Sequence, residues 1–244
     1  MNNKILVVKY GSSSLSGVDG LDVAKISGYA AKIKYLSDNY MIAIVSSGAV
    51  VAGKSIIGNG GSSDATINAM VGSAALVVAW QNALRAHGLT AGQILVTYSD
   101  IADKVEGNRL RSVIHNNLAK GVIPIINEND VLSDIELARL SYGGDNDGLA
   151  YKIAVTIGAD ELLLLTNVDG LLDENNTVIN EISLSELDKF TGLANGKSDS
   201  GKGGMLSKIK AAVSAGEAGV SAHIGNANAD YRLMLARELG THIK

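Results

Sequence analysis

Short aliphatic runs recur along this chain with helical stripes between them, and that alternation restricts the fold more than any other feature. The runs are KILVVKY (4–10), MIAIVS (41–46), GQILVTY (92–98), GVIPIIN (121–127), ELLLLTN (161–167) and VSAHIG (220–225). Several are apolar without interruption, the pattern of a strand covered on both faces. Between them Val23, Ile26, Ala30, Ile33 and Leu36 recur three and four apart, as do Met205, Ile209, Ala212 and Val213. That is the spacing of a helix with one apolar face. Strand–helix alternation predicts an α/β fold, a three-layer αβα sandwich with a mainly parallel central sheet. The closing LGTHIK reads as a short last strand. No linker or repeat divides the chain, so residues 1–244 read as one domain.

Composition bounds the function classes. Apolar residues make up 46%, enough for a sizeable core, and 28 glycines against one proline suit tight strand-to-helix loops. The absence of cysteine excludes disulfides and thiolate metal sites. The opening MNNKILVVKYG holds too short an apolar run for a signal sequence, and the longest apolar stretches fall short of the roughly 18 residues of a membrane span. A net charge of −4 supplies no field that attracts nucleic acid. A soluble, cytoplasmic protein with neither nucleic acid nor membrane as partner is the expectation.

In open α/β sheets ligands bind outside the carboxyl ends of the strands, and the polar stretches fall there. KYGSSS follows the first strand, SSGA the second, INEND the fourth and LTNVDG the fifth. Lys9 reads two ways: a cation reaching phosphate oxygens, or a lysine snorkelling at a strand end. Ser46-Ser47-Gly48 either caps the next helix or forms an anion site at its N-terminus. Asn127, Glu128, Asn129, Asp130, Asp145, Asn146 and Asp147 are ligand candidates or turn residues. They are not a calcium loop: counting from Asp145, Ala150 and Thr156 stand where an EF-hand needs glycine and glutamate. GNGGSSD (58–64) reads as a lid-like loop. GKGGMLSKIKAA (201–212) reads as a glycine-rich turn opening a helix, with Lys202 and Lys208 toward a polyphosphate or on a solvated face. It is no Walker loop, since Thr191 occupies the first glycine position of TGLANGKS. His87, His115, His223 and His242 lie away from these loops and read as structural, which leaves no obvious general base.

VVKYGSSSL, VSSGAVVAG, GVIPIINEND, GGDND, LLLLTNVDGLL and GKGGMLSKIKAA, in this order, resemble the amino acid kinase family. INEND followed by GDND resembles its glutamate 5-kinase branch. The resemblance covers essentially the whole chain. It implies an N-terminal portion that holds the acid and a C-terminal portion, about 160–244, that holds ATP. It implies Mg2+ and phosphorylation of the side-chain carboxylate of L-glutamate to L-glutamyl 5-phosphate, the first step of proline biosynthesis. Lys9 and Lys208 look like the lysines that neutralise the transferring phosphoryl group. Asp147 looks like the residue that organises those lysines and the metal region. Ser47, Gly48, Ala49, Asp130 and Asn146 look like substrate contacts. Thr166 and Asn167 look like nucleotide contacts, with Lys9 and the run Lys202, Gly203, Gly204, Met205, Leu206, Ser207 and Lys208.

The resemblance also implies a homo-oligomer (dimer or tetramer), proline as feedback inhibitor and glutamyl phosphate reductase downstream. The chain ends before the PUA domain that many members carry. It departs from the family at Asn167, where aspartate is usual, at Leu172, at Ile67-Asn68 and Gly72-Ser73, and in a longer segment between Asp130 and Asp145. The alternatives are a kinase of the same fold acting on another acid, or a non-catalytic amino-acid or nucleotide sensor.

Overall fold

The structure, a computed structural model, describes residues 4–132, 146–183 and 204–243. β1 (Lys4–Tyr10) leads into a single helical turn, α1 (Ser12–Leu15), a small hairpin of β2 (Ser16–Gly17) and β3 (Gly20–Leu21), and α2 (Val23–Leu36). Then come β4 (Tyr40–Ser46), α3 (Ala49–Ile57), α4 (Ala65–Arg85), β5 (Thr90–Val96), α5 (Tyr98–Ala102), α6 (Lys104–Ala119) and β6 (Val122–Glu128). The remaining elements are α7 (Asn146–Ile157), β7 (Glu161–Thr166), β8 (Glu181–Ile182), α8 (Gly204–Glu217), β9 (Ser221–Asn226), α9 (Tyr231–Leu235) and β10 (Thr241–Ile243).

One eight-stranded sheet in the order β5-β6-β4-β1-β7-β9-β10-β8 runs through both portions of the chain. Its first six strands are parallel, β10 is antiparallel to β9, and β8 runs with β10. Successive residues of β1 enter opposite layers, as a period of two requires. Ile5 and Val7 face a core closed by Ile114 of α6, Ile153 of α7 and Ile209 of α8. Leu6, Val8 and Tyr10 face a second core closed by Ile33 of α2 and Trp80 of α4. This is the expected αβα sandwich. By the same alternation Lys9 emerges on the α7–α8 side, at the carboxyl end of the strand.

Some local readings shift. Val23 is exposed, and Tyr29 joins Ile26, Ala30, Ile33 and Leu36 on the buried face of α2. Tyr98, read as the end of a strand, opens α5 instead, because Thr97 and Asp100 form a capping box there. The β2–β3 hairpin and β8 carry too few residues to show a period. α4 is long and apolar enough to cross a membrane, but its Leu76, Trp80 and Leu84 are buried in the second core. The histidine reading gains a partner set: His223 lies 2.8 Å from Glu161 and 2.8 Å from His242, a buried chain tying β7, β9 and β10. Asp145, Lys202, Gly203, the 133–144 segment and the TGLANGKS stretch lie outside the described residues.

Leu149, Ile153 and Ile157 bury α7 against the sheet. Ile153→Ala should therefore cost about 2–5 kcal/mol. Urea unfolding followed by the emission of Trp80, the only tryptophan, measures it.

Candidate active site

Three charged side chains from three elements meet at the carboxyl end of β1. Asp147 in the first turn of α7 is fully buried, Lys9 is 2% exposed and Lys208 in the second turn of α8 is 7% exposed. Asp147 Oδ1 lies 2.6 Å from Lys9 Nζ, and Oδ2 lies 3.1 Å from Lys208 Nζ. Lys208 also donates to the Gly204 carbonyl at 3.2 Å. Neither lysine snorkels or lies on a solvated face. A buried ion is costly unless paired, and one carboxylate here pairs two ammonium groups.

The five substrate-contact candidates line one pocket of about 170 Å³. Its walls include Ser47, Gly48, Ala49, Asp130 and Asn146. The Asn146 amide donates to Ser47 Oγ and to Asn127 Oδ1, each at 2.9 Å. Both its N–H groups are thereby used, so its carbonyl is left as an acceptor, and the Ser47 hydroxyl hydrogen is left to donate. Ser47 does not cap α3. The N-cap is Gly48, at φ 112°, and no side chain caps the helix, so the first-turn N–H groups are available to an anion. Ser12, Val50, Asn127 and Glu128 complete the walls. The sequence reading holds Asn127 and Glu128 as ligand candidates or turn residues and does not single out Ser12 or Val50 for the pocket. Asn127 and Glu128 end β6, beside the end of β4, and strand adjacency is what a sequence does not display.

Burial, and then the Glu128 charge, push the Asp130 carboxyl up to about 6. A carboxylate so placed is poorly solvated, and an ammonium group in the pocket would relieve it.

The nucleotide candidates divide. Thr166 ends β7, its carbonyl accepting from Ala227 N at 2.8 Å. The exposed Asn167 accepts from Ser14 Oγ at 3.2 Å, which joins the β7 end to α1. Gly204, Met205, Leu206, Ser207 and Lys208 open α8. Among the described residues Ser207 Oγ is buried without a hydrogen-bond partner. Lys202 and Gly203 precede the described part of this helix.

The profile of the amino acid kinase family matches residues 4–226. The chain belongs to that family. It is 37% identical over 238 residues to glutamate 5-kinase 2 of Bacillus subtilis, covering 93% of this chain and 63% of the relative. It is 34% identical over 230 residues to glutamate 5-kinase of Chlorobaculum tepidum, covering 91% and 63%. This chain thus spans somewhat under two thirds of the length of these relatives. Its fold is shared with carbamate kinase from Giardia lamblia bound to AMP-PNP, at TM-score 0.70 and 15% identity, covering 99% of this chain and 98% of the other.

Replacing Asp147 by asparagine would remove the carboxylate that two buried ammonium groups share. Asp147→Asn should cost about 3–5 kcal/mol of stability, read as a lowered urea midpoint. A midpoint equal to wild type would contradict the role of this carboxylate as their shared partner.

Proposed function

We propose that this protein transfers the γ-phosphoryl group of ATP to the side-chain carboxylate of L-glutamate, giving L-glutamyl 5-phosphate. The observation that carries the reading is the buried Lys9–Asp147–Lys208 triad beside a pocket suited to a zwitterionic acid. Similarity to glutamate 5-kinases supports glutamate as the acid.

Physical chemistry makes the arrangement apt. The acceptor carboxylate, with an ordinary pKa of about 4.3, is ionised at neutral pH and needs no general base. Its difficulty is repulsion: two unit negative charges at 4 Å cost about 4 kcal/mol at an effective dielectric of about 20. Lys9 and Lys208, held in place by Asp147, supply positive charge that requires no reorganisation when the phosphoryl group moves. Ser47 and the uncapped start of α3 bind the α-carboxylate, Asp130 binds the ammonium group, and the Asn146 carbonyl orients the substrate. In this reading the chain is one kinase domain, residues 1–244, with the acid in its N-terminal portion and the nucleotide in its portion from about 160 onward. Thr166, Asn167 and the run Lys202 to Lys208 hold the nucleotide, and the orphan hydroxyl of Ser207 suits a phosphate or ribose oxygen.

ATP would supply the phosphoryl group, and Mg2+ bound with it would shield its charge. Both oxygens of Asp147 are engaged by lysines, and the described residues contain no cluster of three acidic or histidine ligands. An ion arriving with the triphosphate would need no dedicated cage of side chains. The family resemblance extends the reading to a cytoplasmic homo-oligomer in proline biosynthesis, inhibited by proline. Its labile acyl phosphate passes to glutamyl phosphate reductase.

Coupled ADP release with a panel of acids tests the proposal. Glutamate-dependent turnover is expected; turnover only with another acid, or with none, would overturn it. Lys208→Ala should lower kcat by about 10²-fold or more, and a kcat near wild type would remove that lysine from the chemistry. Asp130 loses its charge below about pH 6. kcat/KM for glutamate should therefore fall as pH is lowered through that value. Asp130→Asn should have a low kcat/KM without that limb.

A further inference from the structure

α3 and α4 cross with their backbones in contact, and two glycines make the crossing possible. A Cβ on Gly72 would lie 2.0 Å from the carbonyl oxygen of Ala49 and 2.3 Å from the nitrogen of Gly53. A Cβ on Gly53 would lie 1.7 Å from the carbonyl oxygen of Asn68. Neither position has a left-handed backbone, so closeness alone excludes a side chain. Glycine inside a helix costs about 1 kcal/mol relative to alanine, and close approach is the compensating gain.

That approach bears directly on the acid pocket. Ala49, whose carbonyl faces Gly72, is the first residue of α3 and lines the pocket with Gly48 and Val50. At the other glycine, the buried Asn68 accepts from Ser62 N at 2.9 Å and donates to the Ser62 and Asp64 carbonyls at 2.7 and 2.9 Å. It thereby fastens the 58–64 loop to the same crossing. Ordinary contact begins at 3.4 Å, so a methyl group on Gly72 would drive Ala49 and the start of α3 by more than an ångström.

We propose that Gly72 and Gly53 are positioning residues for the amino-acid pocket, setting where the start of α3 stands as its wall. The inference rests on the kinase reading above. Gly72→Ala moves the wall but leaves the lysine triad, which is built on β1, α7 and α8, untouched. The two substrates are therefore affected unequally, which a merely structural role would not produce.

The test compares wild type with Gly72→Ala and with Ala52→Ser, a smaller addition at the same crossing, where Ala52 Cβ lies 2.9 Å from a Cβ built on Gly72. Gly107→Ala in α6 is the control: its Cβ would meet the Ile101 carbonyl of α5 at 2.9 Å. Trp80 emission reports folding. Gly72→Ala should raise the glutamate KM about tenfold or more and keep the ATP KM within about twofold. Ala52→Ser should shift the glutamate KM in the same direction by less, while Gly107→Ala should lose stability and keep both constants. An unchanged glutamate KM in folded Gly72→Ala, or in Ala52→Ser if the first variant does not fold, overturns the inference. So does an equal rise in Gly107→Ala. Failure of the kinase reading shows separately, as a wild-type protein inert toward every acid, and takes this inference with it.

Discussion

Asp147 is a fully buried carboxylate whose two oxygens each hold a lysine, and the arrangement of the surrounding elements follows from satisfying it. Desolvating three charges is expensive, and the cost is tolerable only if the geometry is fixed from several sides. Lys9 is fixed by β1, which is paired on both edges by β4 and β7. Asp147 is fixed by α7, anchored through Leu149, Ile153 and Ile157, and Lys208 by α8, anchored through Ile209 and Ala212. Two ammonium groups are thereby concentrated at the carboxyl end of β1, where water screens them poorly.

The same strand ends carry the second half of the proposed site. Tyr10 of β1 is in register with Ser46 of β4 and Leu165 of β7. The loops after β4 and β7 therefore flank the lysine site from opposite sides, one leading to the acid pocket and the other to Thr166 and Asn167. In the proposed reaction this order sets the acid and the nucleotide on either side of the charge that offsets their repulsion. In the proposed reading the pocket would discriminate by charge: Ser47 and the uncapped α3 terminus would favour a carboxylate, whereas Asp130, raised by burial and by Glu128, would favour an ammonium group.

The central strands were legible because burial on both faces makes them apolar without interruption. KILVVKY matches β1 residue for residue, and the other main runs differ at their ends by a residue or two. Tyr98 was misread because a capping box is a local hydrogen-bond pattern that hydrophobicity does not register. The polar stretches were legible as a group from their position after strands, but their pairing was not. Lys208 and Asp147 are 61 positions apart, and only the right-handed return of α7 and α8 to the same face of β1 joins them. Asn127 and Glu128 joined the pocket for a similar reason, through the neighbouring of β4 and β6. The family resemblance supplied expected roles for Lys9, Asp147 and Lys208; it did not reveal the Gly72–Ala49 contact, which exists only where two helices meet.

The claim that the triad directs a phosphoryl group onto a carboxylate is tested most directly by trapping the product. An acyl phosphate reacts with hydroxylamine to give a hydroxamate and inorganic phosphate. With ATP, L-glutamate and hydroxylamine, the account predicts γ-glutamyl hydroxamate formed in step with ADP. ADP released with glutamate present but without hydroxamate would contradict it, since the phosphoryl group would then have gone to water or to another acceptor.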